Sequence, residues 1–302
     1  MWRAVANRCP RCLELEDELT GLRLQLAALG RGEYHLRSAL VDLGLKGKVA
    51  IVTGGSEGIG RAAAHSLGRE GAAVVVCARR ADVLHRAADT IAEATGAEIV
   101  PVAADVRNAQ DIERLVQSAV ERFGRLDILV NNAGTSAAAA FESVTDEAWQ
   151  TDLDLKLFAA IRATRAALPH LREAGGGSIV NVLNIGAKQP AARSVPTSVS
   201  RAAGMALMKA LSRELAADNI RVNGINIGLI KSGQHERRWH ASGSPATLDE
   251  FYVEHARRSG IPLGRVGEAE EVGDLIAFLC SSRGAYISGV SINVDGGHSA
   301  VV

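Results

Sequence analysis

From Lys46 onward, the chain alternates short runs of apolar residues with longer amphipathic segments. The seven apolar runs are KVAIVTGG, AAVVVCA, EIVPVAA, LDILVNN, GSIVNVL, IRVNGINI and VSINV. The amphipathic segments lie near 59–70, 81–94, 109–123, 147–171, 196–217 and 268–282. Strands that are apolar on both faces are typical of a parallel sheet covered by helices on both sides. The pattern therefore predicts one doubly wound α/β domain, with its ligand cleft at the carboxyl ends of the strands.

The first apolar run leads into a glycine-rich turn, TGGSEGIG at 53–60, which opens a helical pattern. Glycines let the chain turn tightly and bring backbone N–H groups close to a pyrophosphate, and the helix N-terminus favours an anion. Between an apolar strand and a helix, such a turn predicts dinucleotide binding, with a purely structural turn as the alternative. The cofactor-binding residues predicted from it are Gly54, Ser56, Gly58, Ile59 and Gly60.

The end of the second apolar run indicates which dinucleotide binds. The run ends in CARR at 77–80, about 20 residues past the last glycine, where the residue that contacts the adenosine ribose is expected. A carboxylate there would repel a 2′-phosphate, but Ala78 carries no charge and Arg79 offers a planar fork of donors that suits phosphate. The sequence therefore favours NADP(H). NAD(H) stays the alternative, because Glu57 puts a negative charge into the glycine turn.

Charge, apolar runs and cysteine content argue against a nucleic-acid-binding, membrane-spanning or secreted protein. Lys+Arg and Asp+Glu both total 34, so the formal net charge is +0 at pH 7 and gives no reason to expect nucleic acid or an anionic membrane as a partner. The longest apolar runs are far shorter than the ~20 residues that span a bilayer. The N-terminus lacks the apolar core of a secretory signal, and the few, unevenly spaced cysteines are unlike a disulfide framework. These features predict a soluble cytoplasmic protein with neither nucleic acid nor a membrane as its partner.

Residues 1–43 differ from the rest of the chain, so we predict an N-terminal extension over 1–43 and one domain over 44–302. Leucines recur at heptad-like spacing in the extension: Leu15, Leu19, Leu22, Leu26 and Leu29. With about two heptads, this pattern predicts a short helix laid on the domain, and the alternatives are a helix paired between subunits or a disordered tail. Cys9 and Cys12 supply only half of a tetrahedral zinc site, so no metal is predicted.

Five motifs in fixed order resemble those of the short-chain dehydrogenase/reductase family. They are TGGSEGIG, the isolated Asp105 after the third apolar run, NNAG at 131–134, RVGEAEEV at 265–272 and YISGVSINVDGG at 286–297. The resemblance covers residues 46–298 almost without gaps. It implies a single Rossmann-type domain with a seven-stranded parallel sheet, a nicotinamide cofactor, and a homodimer or homotetramer.

The same resemblance implies further cofactor contacts and a substrate lid. The implied contacts are Asp105 and Val106 at the adenine, Asn132, Ala133 and Gly134 along the central strands, and Gly228, Ile230 and Ser232 at the nicotinamide end. Residues 233–262 would form the lid that shapes the substrate pocket. In that segment we expect Trp239, Phe251 and Tyr252 to line an apolar or aromatic substrate, and His235 and His240 to be solvated rather than catalytic.

The family's chemistry rests on an asparagine, a serine, a tyrosine and a lysine, and the aligned positions of this chain hold other residues. Lys156 stands at the asparagine position, seven residues past Trp149, and Asn184 stands at the serine position in GSIVNVLNIG. The tyrosine and lysine positions in PTSVSRAAG hold Thr197 and Arg201. The predicted catalytic residues are therefore Lys156, Asn184, Thr197 and Arg201, and Arg201 is also a predicted cofactor contact.

These four residues allow different chemistry from that of the family. Thr197 cannot exchange a proton as tyrosine does, because an alkyl hydroxyl is too weak an acid near neutrality, and Arg201 does not titrate there. Thr197 and Arg201 are four residues apart and so share one helix face. Lys156 becomes an acid/base candidate if burial beside Arg201 lowers its pKa. Asn184 can donate its amide N–H to a carbonyl oxygen, as an oxyanion-hole group does.

We therefore predict an NADP(H)-linked short-chain oxidoreductase that acts on a small carbonyl/alcohol pair through a non-standard active site. Its proton would come from Lys156, or from water held by Asn184 and Thr197, with Arg201 orienting the cofactor. The alternative is a catalytically inactive NADP(H)-binding protein with a regulatory or scaffolding role. A third interpretation is another chemistry on the same scaffold.

Overall fold

The computed structural model of the chain describes residues 42–243 and 245–302. In them, seven strands form one parallel sheet: β1 (Val49–Thr53), β2 (Ala73–Ala78), β3 (Ile99–Ala103), β4 (Ile128–Asn131), β5 (Gly177–Asn184), β6 (Ile220–Ile227) and β7 (Ser291–Val294). Their order across the sheet is β3-β2-β1-β4-β5-β6-β7. The predicted seven-stranded, doubly wound sheet of Rossmann type is confirmed.

Nine α-helices connect these strands in the part of the chain that the structure describes. They are α1 (Gly58–Arg69), α2 (Ala81–Thr95), α3 (Ala109–Phe123), α4 (Asp146–Leu153), α5 (Ala159–Glu173), α6 (Thr197–Glu214), α7 (Gly233–Ser242), α8 (Leu248–Ser259) and α9 (Ala269–Cys280). A π-helical turn over Asp154–Phe158 joins α4 to α5. Each predicted amphipathic segment contains a helix, and the predicted lid segment contains two, α7 and α8.

Strand β1 shows why the strands are apolar throughout. Ala50 and Val52 belong to the core layer that α1 and α9 cover, whereas Val49 and Ile51 belong to the layer that α3 and α5 cover. Successive side chains of a strand point to opposite faces of the sheet, so a strand covered on both faces needs apolar residues at every position. The two layers fix the sheet between the helices and thereby fix the carboxyl ends of its strands.

The crossover between β1 and β4 determines where a ligand cleft lies. The two strands are neighbours in the sheet, with Ile51 beside Leu129, although β2 and β3 separate them in the chain. From this point the chain builds the sheet outward in both directions. The loops that follow β1 and β4 therefore separate and leave a crevice between them.

Three predictions concern features beyond the sheet. The leucine-rich helix of the extension and the pair Cys9 and Cys12 lie outside the described residues. No described helix combines the length and the apolar composition that crossing a membrane would require. Within the described residues, no group of three or more His, Cys, Asp and Glu side chains is arranged to hold a metal ion.

Candidate active site and cofactor cleft

A cleft of about 850 Å³ opens at the carboxyl ends of the strands, beside the β1–β4 crossover. Most of the predicted site residues line it: Gly54, Ser56, Gly58, Ile59, Arg79, Asp105, Val106, Asn132, Ala133, Gly134, Asn184, Thr197, Arg201, Gly228, Ile230 and Ser232. Two do not. Gly60 lies beneath the glycine turn, and Lys156 is buried behind the wall of the cleft.

The glycine turn has a conformation that other residues would strain. Gly54 and Gly58 have φ angles of +68° and +52°, in the left-handed region that glycine adopts most easily. A Cβ on Gly60 would overlap the carbonyl oxygen of Gly54 and approach Asn132 Nδ2 to 2.5 Å. Because Gly60 has no side chain, α1 can begin directly against the end of β1, and the N-terminus of α1 faces the cleft.

Thr53 and Asn132 join the ends of β1 and β4 beneath the cleft. Thr53 Oγ1 accepts the backbone N–H groups of Asn132 and Ala133 at 2.9 and 3.0 Å, and it donates to the carbonyl oxygen of Val130 at 3.2 Å. Asn132 Nδ2 donates to the carbonyl oxygen of Thr53 at 2.8 Å. The two loops that border the cleft are therefore fixed to each other at their origin.

The adenosine end of the cleft carries positive charge. Arg79 is exposed there and forms no ion pair with a described residue, whereas Arg80 pairs with Glu57 at 2.8 Å. Hydrogen bonds from Arg107, foremost, hold the pKa of the Asp105 carboxyl below its ordinary value. Glu57 and Asp105 each have an arginine as ion-pair partner, so Arg79, whose charge acts on Asp105 only as the smallest contribution, remains available to a ligand. This donor set fits a cofactor with a 2′-phosphate on its adenosine ribose.

Lys156 belongs to a buried network rather than projecting into the cleft. Its side chain is 1% exposed, and its Nζ forms an ion pair with the Asp152 carboxylate one helical turn earlier. The same Nζ donates to Thr197 Oγ1 at 3.0 Å. Ser200 Oγ donates to the other carboxylate oxygen of Asp152 at 2.6 Å. Lys156 thus reaches the cleft through one intervening side chain, that of Thr197.

Thr197 is placed to donate a hydrogen bond toward the cleft. Its Oγ1 accepts from Lys156 Nζ and, at 2.9 Å, from the backbone N–H of Ala137. A hydroxyl oxygen has two acceptor positions, and these two donors occupy both. The hydroxyl proton is therefore left to donate, and Thr197 lines the cleft.

Burial and charge act together on the two cations of the site. Burial lowers the pKa of Lys156 to about 8, the Asp152 carboxylate opposes this, and the charge of Arg201 adds to it. Burial also lowers the pKa of Arg201 to about 10, which leaves it charged near neutrality. Arg201 Nη1 donates to the carbonyl oxygen of Val182 at 2.7 Å, and a Cβ on Gly134 would lie 2.5 Å from its Nη2. Gly134 thus leaves room for the guanidinium.

Asn184 ends β5 at the wall of the cleft, and its Oδ1 is buried without a hydrogen-bond partner among the residues that the structure describes. The oxygen and nitrogen of an amide are interchangeable by rotation, so the observation concerns the amide as a whole. A buried polar atom without a partner is costly and is found where a ligand or water completes the site. Asn184 therefore offers a hydrogen bond to a bound molecule.

Helix α7 contacts both borders of the cleft. Gln234 Oε1 lies 3.4 Å from Thr135 Oγ1 and 3.5 Å from the backbone nitrogen of Ser136, in the loop after β4. Arg237 Nη1 lies 3.6 Å from Glu57 Oε2, in the glycine turn. The helix therefore bridges the cleft at two points.

The structure places the aromatic residues of this segment away from the cleft. Trp239 Nε1 donates to the carbonyl oxygen of Ala246 at 2.8 Å, and Tyr252 is 5% exposed in a small separate core that Phe251 also contacts. The Tyr252 ring meets the His235 ring of α7 edge-on, and none of the three aromatic side chains lines the cleft, so the expectation that they do is wrong. His235 does line it, and burial lowers its pKa, so the expectation that it is solvated is wrong as well.

Comparison with known proteins identifies the family. A sequence profile described as enoyl-(acyl carrier protein) reductase matches residues 54–299. Dehydrogenase/reductase SDR family member 4 of Oryctolagus cuniculus is 37% identical over 254 residues, which cover 84% of this chain and 94% of that protein. The chain belongs to the short-chain dehydrogenase/reductase family. The resemblance inferred from its motifs is confirmed.

Two solved members of the family share the fold closely. L-sorbose reductase from Gluconobacter frateurii, solved with NADPH and L-sorbose, has a TM-score of 0.83 and 37% identity, covering 87% of this chain and 100% of that one. The NADPH-bound short-chain oxidoreductase from Pseudomonas aeruginosa PAO1 has a TM-score of 0.80 and 39% identity, covering 84% and 98%. That enzyme is described as containing an atypical catalytic center.

The family motifs did not point to four residues that the structure places at or behind the site: Asp152, Ser200, Gln234 and Arg237. Asp152 had a signal, because it lies four residues before Lys156, at the spacing of a helical ion pair. The other three had none, since their contacts depend on how α6 and α7 lie against neighbouring loops.

Proposed function

We propose that this chain is an NADP(H)-linked oxidoreductase that interconverts a small carbonyl compound and its alcohol, with Lys156 as the proton source. The observation that carries the proposal is the 3.0 Å hydrogen bond from Lys156 Nζ to Thr197 Oγ1, at the wall of a cleft with a free arginine at its rim. It links a buried titratable group to the cleft through one hydroxyl.

The cofactor part of the proposal rests on the glycine turn and on Arg79. The N-terminus of α1 and the turn before it would hold the pyrophosphate, Arg79 would hold the 2′-phosphate, and Asp105 and Val106 would border the adenine. When bound, NADPH supplies a hydride to the carbonyl carbon. The two solved family members with NADPH support the same choice of cofactor.

The proton part of the proposal follows the hydrogen bonds at Thr197. As negative charge develops on the substrate oxygen, the Thr197 hydroxyl passes its proton to that oxygen in the same step in which it accepts one from the Lys156 ammonium, so no threonine alkoxide forms. Lys156 is left as a neutral amine beside Asp152, and in alcohol oxidation the same protons move in reverse. A pKa of about 8 suits this role, because an acid/base group works best when its pKa lies near the operating pH.

Arg201 and Asn184 complete the proposed site. The guanidinium of Arg201 lies beside Gly134 and would stabilise negative charge that develops near it. The amide N–H of Asn184 would donate to the substrate oxygen, since no described residue engages its Oδ1 and the amide can turn. A polar, cationic floor of this kind suits small polar carbonyl compounds, such as hydroxylated ketones and keto acids, and the similarity to an L-sorbose reductase supports the same class.

The test is NADPH consumption with a panel of hydroxyketones, keto acids and enoyl compounds, and the reverse reactions with NADP. Lys156→Met should lower turnover by the ~10²–10⁴-fold typical of a lost acid/base group, with NADPH affinity almost unchanged by calorimetry. Thr197→Ala should cost less, because water can occupy the place of the hydroxyl. Lys46→Met is the matched control, since Lys46 is exposed and lies outside this cleft.

Two results would contradict the proposal. Turnover that is unaffected by Lys156→Met would remove lysine from the mechanism and leave water as the proton source. Tight NADPH binding without turnover across the whole panel would favour the inactive, cofactor-binding alternative.

We also propose that the chain forms a homodimer or homotetramer and works in the cytoplasm. Tyr286 is fully exposed and Val290 is 37% exposed beside the edge strand β7, which supports a surface that another subunit covers. Cys77 and Cys280 are free thiols, which fits a reducing compartment. Light scattering after size-exclusion chromatography tests the assembly.

A further inference from the structure

We propose that Asp152 is a positioning residue that holds the Lys156 ammonium against Thr197 and offsets its charge beside Arg201. This inference rests on the proposed function, in which Lys156 delivers the proton. Asp152 does not line the cleft, so it would act through Lys156 and not on the substrate.

The first argument is the burial of the ion pair. The side chains of Lys156 and Asp152 are 1% and 2% exposed. Removing two charges from water is costly, and their attraction offsets the cost only when the geometry is good and the remaining polar atoms are also bonded. Ser200, itself 1% exposed, meets this condition by donating to the second oxygen of Asp152 at 2.6 Å.

The second argument is that both oxygens of the carboxylate are engaged by different elements. One oxygen binds Lys156, in the π-helical turn after α4, and the other binds Ser200, on α6. Ser200 lies one turn from Thr197, the residue that Lys156 contacts. The carboxylate therefore cannot rotate without losing one of these bonds, and it fixes the lysine at the start of α6.

The third argument is charge. The charged groups that act on Lys156 are Asp152 from α4 and Arg201 from α6, whereas Thr197 and Ser200 are neutral. Burial and Arg201 both favour the neutral amine, and Asp152 favours the ammonium. Without Asp152, the lysine would lose its proton at a lower pH and would no longer be held toward Thr197.

The decisive measurement is a titration of Lys156 that does not depend on catalysis. The chain contains six lysines, Lys46, Lys48, Lys156, Lys188, Lys209 and Lys231, so labelling lysine with ¹³C at Cε gives few NMR signals. The Lys156 signal is identified by its loss in Lys156→Met. We expect it to titrate near pH 8 in the unmodified protein and roughly 1–3 pH units lower in Asp152→Asn.

Conservative variants separate positioning from general damage to the fold. Asp152→Glu keeps the negative charge, so the Lys156 pKa in this variant should lie between its values in the unmodified protein and in Asp152→Asn. Ser200→Ala should lower the Lys156 pKa as Asp152→Asn does, but less. Asp154→Asn is the matched control, because this carboxylate pairs with Arg162 and not with Lys156. If Asp152→Asn does not fold, the Asp152→Glu and Ser200→Ala titrations decide the question.

Activity gives a second readout. In the reduction direction, Lys156 must be protonated, so kcat falls as the pH rises through the lysine pKa. Asp152→Asn should move this fall to lower pH and lower kcat, with little change in KM for NADPH. An unchanged Lys156 titration in Asp152→Asn would overturn the inference. If Asp152→Asn shifts the Lys156 titration but Lys156→Met leaves turnover unchanged, the proposed proton source is wrong, whereas the role of Asp152 in holding Lys156 stands.

Discussion

At the scale of single residues, Arg79 and Arg80 are adjacent in the chain but differ in what they can bind. Arg80 is engaged by Glu57 at 2.8 Å, and Arg79 forms no ion pair with any described residue. The sequence indicated Arg79 from its place at the end of β2. The neutralisation of Glu57 by Arg80 could not be predicted, because it depends on the side-chain conformations of two exposed residues.

The first prediction is that Arg79 determines the choice of cofactor. Calorimetry should show tighter binding of NADPH than of NADH, with Arg79→Asp reversing the order, because a carboxylate repels the 2′-phosphate and accepts hydrogen bonds from the ribose. The expected difference is about 1–3 kcal/mol, the size of hydrogen bonds to charged groups. Arg86→Asp makes the same charge change on α2, where Arg86 pairs with Asp82, and should leave the preference intact. Equal affinities in the unmodified protein would contradict this prediction.

The four proposed catalytic residues also divide into positions that the sequence predicted and one that it did not. The family resemblance predicted that three residues meet at one cleft, and the structure places all three in its lining: Asn184, Thr197 and Arg201. The resemblance did not predict that Lys156 lies behind Thr197. Lys156 lies within the π-helical turn over Asp154–Phe158, an irregularity of the helix that has no clear sequence signal.

At the scale of elements, the segment 233–262 departs most from expectation. Its second helix did carry a readable start signal, because Thr247 and Glu250 form a capping box at the N-terminus of α8. Tyr252 and Ala256, four residues apart, form the face that α8 buries. The aromatic residues were assigned to the substrate because the sequence does not show that α8 forms a small separate core with Leu229, Ile261 and Val266.

The second prediction concerns α7, which we propose acts as a lid over the cofactor. Arg237→Gln removes the 3.6 Å contact with Glu57. Both side chains are well exposed, and such pairs contribute at most about 1 kcal/mol, so melting should barely change. NADPH should dissociate up to about fivefold faster in stopped-flow fluorescence, because the lid loses one of its two contacts across the cleft. Arg258→Gln, on α8, removes a comparable exposed pair with Glu254 and should leave the dissociation rate unchanged. The same acceleration in both variants would argue against a specific contact.

At the scale of the whole molecule, the sequence predicted the architecture far better than the details of the site. The apolar character of β1 on both faces, repeated in six further runs, allows few folds other than a parallel sheet between two helical layers. The contacts at the site depend on single rotamers and on one irregular turn, which leave little trace in a pattern of apolar residues.

The start of the compact unit can also be located by its contacts. The carbonyl oxygen of Leu43 accepts the backbone N–H of Ser282 at 3.1 Å and the Ser282 hydroxyl at 3.2 Å. Leu45 is 1% exposed in the core layer covered by α1 and α9. Contacts within the chain group residues 43–302 together, so the domain includes this short segment before β1.

The last prediction is that the domain folds without the extension but not equally well without Leu43 and Leu45. A chain that begins at Val41 should melt much like the full chain, because it keeps both residues. A chain that begins at Lys46 should melt roughly 4–20 °C lower, since loss of a buried leucine costs about 2–5 kcal/mol and each kcal/mol shifts a domain of this size by about 2–4 °C. Calorimetry and light scattering of the two shortened chains beside the full chain provide the measurement.

A large drop in melting temperature for the chain from Val41, or its failure to assemble as the full chain does, would mean that the leucine-rich extension takes part in the assembly. If instead the chain from Lys46 melted like the full chain, the packing of Leu45 against α1 and α9 would contribute little to stability.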